Sequence, residues 1–339
     1  MSVTKPIYAT FKSIGSYVPE KVLTNKDLEK MIDTTDEWIV KRTGISERRI
    51  AAKDEYTSDM GAKAANIAIE RAGIDKEDID LVICATVTPD YFNMPSTACV
   101  ISDKIGIHNV QAFDISAACS GFVYLLTLAQ AFIESGMKKN ILLVGAEKFS
   151  SIVDYTDRGT CILFGDGAGA AIISAGTKKE EGFVDTHASA DGSYADFLVT
   201  PAPGAINPVS QKVIDQGLNF VQMKGNETFK LAVKTLTNDV KDILKKNNVK
   251  AEDVPHFIPH QANYRIIKAV GDALKMSEEQ VVVTVGKYGN TSAASIPMAI
   301  NDAWESGKIQ NGDLMLLDTF GGGLTWASAL LPFSGKARV

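Results

Sequence analysis

The sequence predicts an α/β fold in which one unit occurs twice. Strand-like and helix-like segments alternate along most of the 339 residues. Short apolar, β-branched runs such as IDLVICATV (79–87) are typical of strands buried on both faces of a parallel sheet. Two pairs of similar segments also recur in the same order in each half of the chain. Together these observations favour βαβ units around a largely parallel sheet, duplicated within the chain.

The elements of the first half follow one another in a regular order. SDMGAKAANIAIERAGI (58–74) repeats apolar residues at helical spacing and precedes the strand IDLVICATV. IGIHNVQAFDIS (105–116) is expected to be extended, because β-branched and aromatic residues favour strands. CSGFVYLLTLAQAFIESG (119–136) is expected to be helical, and NILLVGAEKFS (140–150) extended again.

The repeat is visible when two pairs of segments are aligned. ESGMKKNILLVGAEKF begins at Glu134 and ESGKIQNGDLMLLDTF at Glu305, an offset of 171 residues (305 − 134). IDKEDIDLVICA begins at Ile74 and VKAEDVPHFIPH at Val249, an offset of 175 residues (249 − 74). TPAPGAINPVSQK, between the halves, carries three prolines and is expected to be a loop. We therefore expect a first half, a connecting segment and a second half at residues 1–180, 181–219 and 220–339.

Composition excludes several classes of function. The chain is 45% hydrophobic and 22% charged, and its net charge of −6 and pI near 5.4 disfavour nucleic acid as a partner. The first residues, MSVTKPIYATF, lack the apolar core of a signal peptide, and no apolar run is long enough to cross a membrane. The four cysteines lie far apart, which indicates reduced thiols in a cytoplasmic protein and no zinc site.

Three chemically useful residues fall at related positions of the repeat. Carrying Cys119 forward by 171 residues reaches Asn290, and carrying Ala85 forward by 175 reaches His260. Taken singly, each has a structural explanation: a small core cysteine, a capping or core histidine, and an N-cap turn. Together they are predicted at strand–helix junctions around a pseudo-twofold axis, where α/β sheets bind ligands. A helix N-terminus also favours the thiolate of Cys119, the form that takes an acyl group from a thioester.

Two glycine-rich stretches have different expected roles. ILFGDGAGAAIIS (162–174) lacks the G-x-G-x-x-G spacing of a nucleotide-binding loop and is expected to form strand, turn and strand. DTFGGGLTWASALL (318–331) places three glycines between two strand-like runs, which a hairpin turn explains. Three consecutive glycines exceed that need, so a backbone amide here is a candidate donor to a developing oxyanion.

Four stretches, DISAACSGF, PHQAN, GNTSAAS and FGGGLTWASAL, resemble condensing enzymes of the thiolase fold. In order and spacing they are similar to the β-ketoacyl-[acyl-carrier-protein] synthase III family, and the similarity runs from residue 15 to residue 333. The resemblance implies an α/β, thiolase-like fold with duplicated βαβαβαββ halves in α-β-α-β-α layers. It also implies an acyltransferase that condenses a short acyl-coenzyme A, acetyl foremost, with malonyl-acyl carrier protein. The products are 3-ketoacyl carrier protein, CO2 and coenzyme A; the reaction initiates fatty-acid synthesis, and no cofactor or metal is expected.

The resemblance also assigns the chemistry to named residues. Cys119 would be the acylated nucleophile, and His260 and Asn290 would donate hydrogen bonds to the malonyl thioester as decarboxylation produces an enolate. The backbone N–H groups of Cys119 and Gly322 would form the oxyanion hole. The acyl pocket is expected to be lined by Met94, Leu163, Phe164 and Phe320.

Binding of both substrates is implied in the same way. Trp38 and Arg158 would sandwich the adenine of coenzyme A, a geometry that suits a flat aromatic ring and a guanidinium. The other expected coenzyme A contacts are Thr34, Arg42 and Asn263. Acyl carrier protein is expected to meet Gln261, Arg265 and Lys230, and a solvated helix face explains the cations among them equally well.

One residue departs from the family pattern. Met94, in YFNMPSTACV, stands where several relatives have phenylalanine. In the family this residue crosses the interface of a homodimer and closes the far end of the partner's acyl pocket. Methionine is flexible and adaptable, so the length of the preferred acyl primer stays open.

Three alternative functions fit the sequence less well. Within the enzyme class, a relative that uses another acceptor, such as a secondary-metabolite ketosynthase or a hydroxymethylglutaryl-type synthase, is disfavoured by matching along the full length. A non-catalytic acyl-coenzyme A binding subunit is disfavoured because all three reactive residues are present. A cysteine hydrolase is less favoured still, because no acidic residue is evident to orient His260.

Overall fold

Residues 6–335, the part of the chain that the computed structural model describes, alternate between strands and helices as the sequence predicts. The strands are β1 Tyr8–Tyr17, β2 Lys21–Thr24, β3 Glu47–Ile50, β4 Leu81–Ala85, β5 Gln111–Ile115, β6 Asn140–Glu147, β7 Gly167–Gly176, β8 Asp185–Ala190, β9 Leu198–Val199, β10 Gln222–Met223, β11 His256–Pro259, β12 Leu314–Gly321 and β13 Thr325–Pro332. The α-helices are α1 Asn25–Leu28, α2 Asp36–Thr43, α3 Thr57–Ala72, α4 Thr97–Lys104, α5 Gly121–Glu134, α6 Gln211–Asp215, α7 Gly225–Lys246, α8 Tyr264–Leu274, α9 Val285–Tyr288 and α10 Ser295–Glu305.

The two main sheets share one topology, which confirms the predicted duplication. The first has the order β1-β7-β6-β4-β5, and the second the order β8-β13-β12-β11. In each, one pair of adjacent strands is parallel (β4 with β6, β11 with β12), and the next two pairings beyond β6 and β12 are antiparallel. A parallel bridge between Phe257 and Val281 occupies the place that β5 has in the first sheet. The order of elements in each half is therefore βαβαβαββ, with a single bridge for the third strand of the second half.

The second sheet begins earlier in the chain than the predicted boundary at residue 220. β8 pairs with β13 along six residues, so Asp185–Ala190 belongs to the second sheet although it lies in the predicted connecting segment. The alternation of buried and exposed side chains along this strand is weak, because all of its residues are half-buried or exposed. Within the same segment, the proline-rich loop is irregular as expected until α6 begins at Gln211.

Five layers follow from where the apolar side chains are buried. One cluster joins α5 and α10 to facing sides of both sheets, so these two helices form the central layer. A second cluster covers the other face of the first sheet with α3 and α4. A third covers the other face of the second sheet with α7 and α8. The α-β-α-β-α arrangement thus buries both faces of each sheet, as continuous apolar strands require.

Two details of the prediction need correction. ILFGDGAGAAIIS forms a turn followed by one strand, because only Phe164 of its first part pairs, in a single bridge to Asn290. The 171-residue offset also does not hold at the start of the helices. The 3-10 turn before α5 spans 118–120 and the one before α10 spans 292–294, an offset of 174 (292 − 118). Helix α10 has 11 residues against 14 in α5, so the offset shrinks to 171 at the helix ends, and Asn290 lies before the turn that matches Cys119.

No helix within residues 6–335 is both long enough and apolar enough to span a membrane.

Candidate active site

Cys119 lies in the 3-10 turn that opens α5, at the junction that the sequence predicts. This turn packs against the 292–294 turn of the second half. Each turn contains a non-glycine residue with left-handed backbone: Ala118 has φ 45° and Ser292 has φ 51°. Such conformations cost about 1–2 kcal/mol for residues with a Cβ. Both turns are therefore held in shape by their surroundings.

The glycine hairpin between β12 and β13 supplies part of that support. A Cβ on Gly321 would lie 2.7 Å from the backbone nitrogen of Cys119, so only glycine allows this approach. The Thr319 hydroxyl donates to the carbonyl oxygen of Cys119 (2.9 Å), and the Thr325 hydroxyl to that of Ala117 (2.9 Å). The predicted hairpin is present, and its three glycines do serve a close backbone approach beyond the turn itself.

Burial dominates the electrostatics of Cys119. Loss of hydration raises the pKa of its thiol to about 12, because the thiolate is the charged form. The sequence-based expectation that the helix N-terminus favours the thiolate of Cys119 is therefore wrong for the site without substrate. A hydroxyl from Ser292 lowers this pKa and the buried Glu147 raises it, and both effects are smaller than that of burial.

His260 follows β11, and its backbone N–H continues the pairing with β12 by donating to the carbonyl oxygen of Asp318 (2.7 Å). The ring is buried, and the loss of hydration lowers the pKa of His260 to about 3, so the imidazole is neutral at physiological pH. Its Nδ1 lies 2.6 Å from the hydroxyl oxygen of Ser295.

The tautomer of His260 follows from the partners of Ser295. The backbone N–H of Gln261 donates to the Ser295 oxygen (3.3 Å), and the only other hydrogen-bond partner of this oxygen among the described residues is Nδ1. A buried hydroxyl proton without an acceptor is costly, so the Ser295 O–H points to Nδ1. The imidazole proton then resides on Nε2, which makes His260 a hydrogen-bond donor.

The side chain of Asn290 is oriented in a similar way. Its Oδ1 accepts a hydrogen bond from the backbone N–H of Ser292 (2.9 Å), which leaves the NH2 group as the free end. Its backbone is tied to the 163–165 segment: the N–H of Asn290 donates to the carbonyl oxygen of Leu163 (2.9 Å), and the N–H of Gly165 donates to that of Asn290 (3.0 Å). The amide therefore presents two N–H donors.

One cavity of about 100 Å³ brings the predicted residues together. Its lining includes the three catalytic candidates and three of the four acyl-pocket candidates, namely Cys119, His260, Asn290, Leu163, Phe164 and Phe320. Most of the remaining wall is formed by apolar side chains from β9, β10, α7 and α8, and Thr228 and Asn263 are its polar members. A cysteine, two neutral donors and an apolar lining suit an acyl thioester.

A wider groove of about 460 Å³ adjoins this cavity, and five residues line both: Leu163, Met223, Gly225, Phe229 and Asn263. Trp38, Arg42 and Arg158 line the groove as expected. The guanidinium carbon of Arg158 lies 3.9 Å from the centre of the Trp38 ring, so the two are in direct contact. A base between them needs two contacts of about 3.5 Å each, so Arg158 has to move away by about 3 Å to sandwich adenine.

Two predicted binding residues lie elsewhere. Thr34 precedes Thr35, the N-cap residue of α2. It is 8% exposed and does not line the groove. Gln261 is 1% exposed, which corrects its assignment to a carrier-protein surface. Its amide donates to the carbonyl oxygens of Pro259 (2.7 Å) and Val282 (3.1 Å) and accepts from two backbone N–H groups. Gln261 therefore fixes the strand end that carries His260.

The remaining candidates are on the surface. Arg265 lies in the first turn of α8, and its guanidinium carbon is 5.2 Å from the centre of the Phe229 ring; both residues line the groove. Lys230 is exposed on α7. Met94 is 81% exposed in the single chain and does not line the cavity that contains Cys119.

Sequence reasoning missed three residues at the centre of the site. Ser295 orients His260, and it is visible in the sequence only as the last letter of GNTSAAS. Glu147 ends β6 and is fully buried beside the cysteine, and Ser292 lies next to both groups. An acidic residue that ends the apolar run ILLVGA is the signal that would have found Glu147.

Among the described residues, no three or more histidine, cysteine, aspartate or glutamate side chains are placed to hold a metal ion.

Comparisons with known proteins identify the family of the chain. The family model for 3-oxoacyl-[acyl-carrier-protein (ACP)] synthase III matches residues 113–192, and the model for its C-terminal part matches residues 244–333. A beta-ketoacyl-[acyl-carrier-protein] synthase III of Sulfurovum sp. is 84% identical over 337 residues, which cover 99% of both chains. The enzyme of the same name from Sulfurimonas denitrificans is 68% identical and covers 96% of this chain and 98% of its own.

Solved structures give the same result. The crystal structure of 3-oxoacyl-[acyl-carrier-protein] synthase III from Aquifex aeolicus has a TM-score of 0.87 and 45% identity, covering 96% of this chain and 99% of that one. The structure from Pseudomonas aeruginosa has a TM-score of 0.89 and 38% identity, covering 98% and 100%. With this identity along nearly the whole length, the chain belongs to the beta-ketoacyl-[acyl-carrier-protein] synthase III family.

Proposed function

We propose that Cys119 takes a short acyl group, acetyl foremost, from a coenzyme A thioester, and that the acyl-enzyme then condenses with malonyl-acyl carrier protein. Family membership makes the chain a condensing acyltransferase that initiates fatty-acid synthesis. The observation that carries the residue assignment is the cavity in which one cysteine meets two neutral hydrogen-bond donors, His260 and Asn290. The reaction as written needs no cofactor.

The first half-reaction is acyl transfer. The Cys119 sulfur attacks the thioester carbonyl, and the oxygen becomes negative in the tetrahedral intermediate. Gly321 packs so close to this turn that a Cβ on it would lie 2.7 Å from the backbone nitrogen of Cys119, and Gly322 is the next residue. We assign these two amides as the oxyanion hole, because preformed donors at a developing negative charge lower the barrier.

The second half-reaction is decarboxylative condensation. The malonyl group loses CO2, and the electron pair passes into an enolate whose oxygen carries the negative charge. The Nε2–H of His260 and the NH2 group of Asn290 donate to that oxygen. The enolate carbon attacks the acyl carbonyl on Cys119, the C–S bond breaks with its electron pair going to the sulfur, and the thiolate takes up one proton from solvent to restore the thiol. Loss of CO2 makes the new carbon–carbon bond irreversible.

The groove accounts for substrate binding. We assign Trp38, Arg42 and Arg158 to the nucleotide end of coenzyme A, with Arg158 displaced from the indole when adenine stacks there. Asn263 lies where the groove meets the cavity, and we assign it to the pantetheine arm. Arg265, at the entrance, and Lys230, on the adjacent helix, are assigned to the acidic carrier protein, because both are available to an acidic partner.

A homodimer completes the acyl pocket in this proposal. Tyr91, Phe92 and Met94 are 55%, 60% and 81% exposed in one loop, an apolar patch that a second copy would cover. β5 is an edge strand of the first sheet, which also supports pairing with a second copy. Met94 would then reach the partner's cavity. All four cysteines have free thiols, which supports a reducing, cytoplasmic location.

Intact-mass analysis tests the proposal directly. The enzyme is exposed to a mixture of acyl-coenzyme A primers, and the mass increase and its position are determined by peptide mapping. We expect one acyl group on Cys119 and none in Cys119→Ser. Acylation elsewhere, or normal condensation by Cys119→Ser, would refute the assignment. Comparing malonyl-acyl carrier protein with malonyl-coenzyme A as the second substrate separates this activity from relatives that use another acceptor.

A further inference from the structure

The proposed acyl transfer leaves the thiol proton of Cys119 without an acceptor. Burial keeps the sulfur protonated, as its raised pKa shows. His260 has no free basic nitrogen, because Nδ1 accepts from Ser295 and Nε2 carries the ring proton. A nucleophile of this kind needs a general base within hydrogen-bond reach, or within reach through one hydroxyl or water.

Glu147 is a buried carboxyl group for which the reaction described so far has no use. It ends β6 and is 0% exposed. The hydroxyl of Thr88 (2.6 Å) and the backbone N–H of Val87 (3.1 Å) donate to it, and the hydroxyl of Thr86 donates at 3.2 Å. Burial outweighs these donors and raises the pKa of Glu147 to about 7, so both protonation states are populated near neutral pH.

Ser292 connects this carboxyl group to the nucleophile. Its side chain is 0% exposed, and its hydroxyl lowers the pKa of both Cys119 and Glu147 by proximity to each. In this conformation the Ser292 hydroxyl makes no hydrogen bond of good geometry, although it is buried near the side chains of both Cys119 and Glu147. Buried polar groups without a hydrogen-bond partner are rare in native proteins, so we expect this hydroxyl to have a functional role.

The fold explains how the three groups meet. Gly145, two residues before Glu147 on β6, has no side chain where a Cβ would lie 2.4 Å from the carbonyl oxygen of Ala293. The 292–294 turn can therefore rest on β6, with the 118–120 turn packed against it on the other side. The left-handed backbone of Ser292 belongs to this arrangement.

We propose that Glu147 is the general base for acylation and that Ser292 relays the proton. As the Cys119 sulfur attacks, its S–H bond breaks and the proton passes to the Ser292 oxygen, while the Ser292 proton passes to the carboxylate of Glu147. The C–S bond to coenzyme A then breaks. The leaving thiolate takes up the proton held by Glu147, again through Ser292, so that coenzyme A departs as a thiol and the carboxylate is restored.

The titratable groups around Glu147 are consistent with this role. Cys119 faces it from the turn, and Cys84 faces it from β4, where burial foremost, and then the charges of Asp114 and Glu147, raise the pKa of the Cys84 thiol. The ammonium of Lys148, the next residue, donates instead to the backbone carbonyl oxygens of Ala52 (2.8 Å), Lys53 (3.2 Å) and Glu55 (2.7 Å). Cys119 is the one of these groups that reacts.

The experiment measures acylation apart from condensation. Release of coenzyme A from acetyl-coenzyme A is followed in a single turnover, without malonyl-acyl carrier protein, from pH 5.5 to 9. We expect wild-type acylation to inflect near pH 7. Glu147→Gln and Ser292→Ala should each lose this inflection and acylate about 100-fold more slowly at pH 7. CO2 release from malonyl-acyl carrier protein, which depends on His260 and Asn290, should change less than threefold in both.

A control variant separates a proton relay through Glu147 from an effect of its charge alone and from a general loss of structure. Asp166→Asn removes another fully buried carboxylate, which binds Ser150 and the backbone N–H of Ala51, and should leave the inflection in place. If Glu147 acted only through its charge, Glu147→Gln would acylate as fast as wild type or faster, because the thiolate would form more easily. That result, an unchanged inflection, or an equal loss of acylation and CO2 release would overturn the proposal.

Two further arrangements keep the test decisive. If Glu147→Gln does not fold, Ser292→Ala decides, and normal acylation by that variant overturns the relay. The proposal rests on acylation of Cys119, and peptide mapping of the acylated wild type checks that separately. Acylation on Cys119 with unaltered kinetics in both variants would refute the relay alone.

Discussion

The hydroxyl oxygen of Ser295 lies 2.6 Å from Nδ1 of His260 and holds the imidazole proton on the opposite nitrogen. Without that hydroxyl, the proton is free to move to Nδ1, and Nε2 then loses its ability to donate. We expect Ser295→Ala to slow CO2 release from malonyl-acyl carrier protein by about tenfold or more, with acylation of Cys119 almost unchanged. Ser295→Thr, which keeps a hydroxyl, should restore most of the rate. Nitrogen chemical shifts of His260 report the tautomer, and an unchanged Nε2–H form in Ser295→Ala would contradict the explanation.

Gly321 should be the least replaceable glycine of the hairpin. Alanine there would place a Cβ 2.7 Å from the backbone nitrogen of Cys119, and backbone atoms cannot move aside cheaply. We expect Gly321→Ala to lower the thermal midpoint by several degrees and to reduce acylation by more than tenfold. Gly192→Ala is the matched control, because no atom lies within 4 Å of its new Cβ. Comparable losses in the two variants would show that contact with Cys119 is not the cause.

Buried neutral His260 should make the protein sensitive to acid. Its folded pKa is about 3 against 6.5 for the free side chain, so the unfolded chain binds the extra proton between these values and stability falls as the pH drops. Glu147 acts in the opposite direction between pH 7 and its ordinary value of 4.5, because burial raises its folded pKa. The effect of His260 is therefore clearest between pH 4.5 and 3.

Denaturant unfolding of wild type and His260→Gln checks this prediction. Over its full range the histidine accounts for about 5 kcal/mol, at 1.36 kcal/mol per pKa unit. We expect the unfolding free energy of wild type to fall relative to that of His260→Gln as the pH falls from 6.5 to 3. A difference that does not depend on pH would mean that the ring is protonated in the folded state.

The stacked pair of Trp38 and Arg158 should control affinity for coenzyme A thioesters. We expect Trp38→Ala to raise KM for acetyl-coenzyme A about tenfold with little change in kcat, because it removes one face of the base site. Trp304→Ala is a suitable comparison, since Trp304 also stacks with an arginine, Arg71 at 4.5 Å, and does not line the groove. A fall in kcat without a rise in KM would argue against a binding role for Trp38.

Met94 should set the length of the acyl primer if the homodimer forms as proposed. Phenylalanine is bulkier and stiffer than methionine, so Met94→Phe should narrow the range of primers toward acetyl. Met94→Ala should extend it toward longer chains. Relative kcat/KM for acetyl-, butyryl- and hexanoyl-coenzyme A measures both effects. Equal profiles in all three proteins would show that this exposed side chain does not reach a pocket.

Much of the fold could be predicted because its signals are local. Apolar periodicity marks α3 and β4, and the internal repeat exposes the duplication before any coordinates are known. The sequence of β8 reads as part of a linker because none of its six residues is buried and its pattern is weak. The offset between Cys119 and Asn290 was misjudged because helix length differs between the halves, which a comparison of helix ends alone does not reveal.

The site was predicted in part for a related reason. Cys119, His260 and Asn290 carry distinctive chemistry at strand–helix junctions, so residue type and position together identify them. The groups that tune them are ordinary serines and one glutamate, and their importance depends on contacts between distant segments. Glu147 and Ser292 are 145 residues apart (292 − 147), and no local pattern connects two such positions.

The left-handed turns at Ala118 and Ser292 have a consequence for protein engineering. Glycine at either position would relieve about 1–2 kcal/mol of backbone strain. About 0.5–1 kcal/mol of this gain would be lost, because glycine increases the conformational entropy of the unfolded chain. A selection for heat resistance would therefore favour glycine at both positions. Such a variant would outlast the natural enzyme and turn over more slowly, because glycine loosens the turn before Cys119 and, at position 292, removes the hydroxyl that we propose as the proton relay.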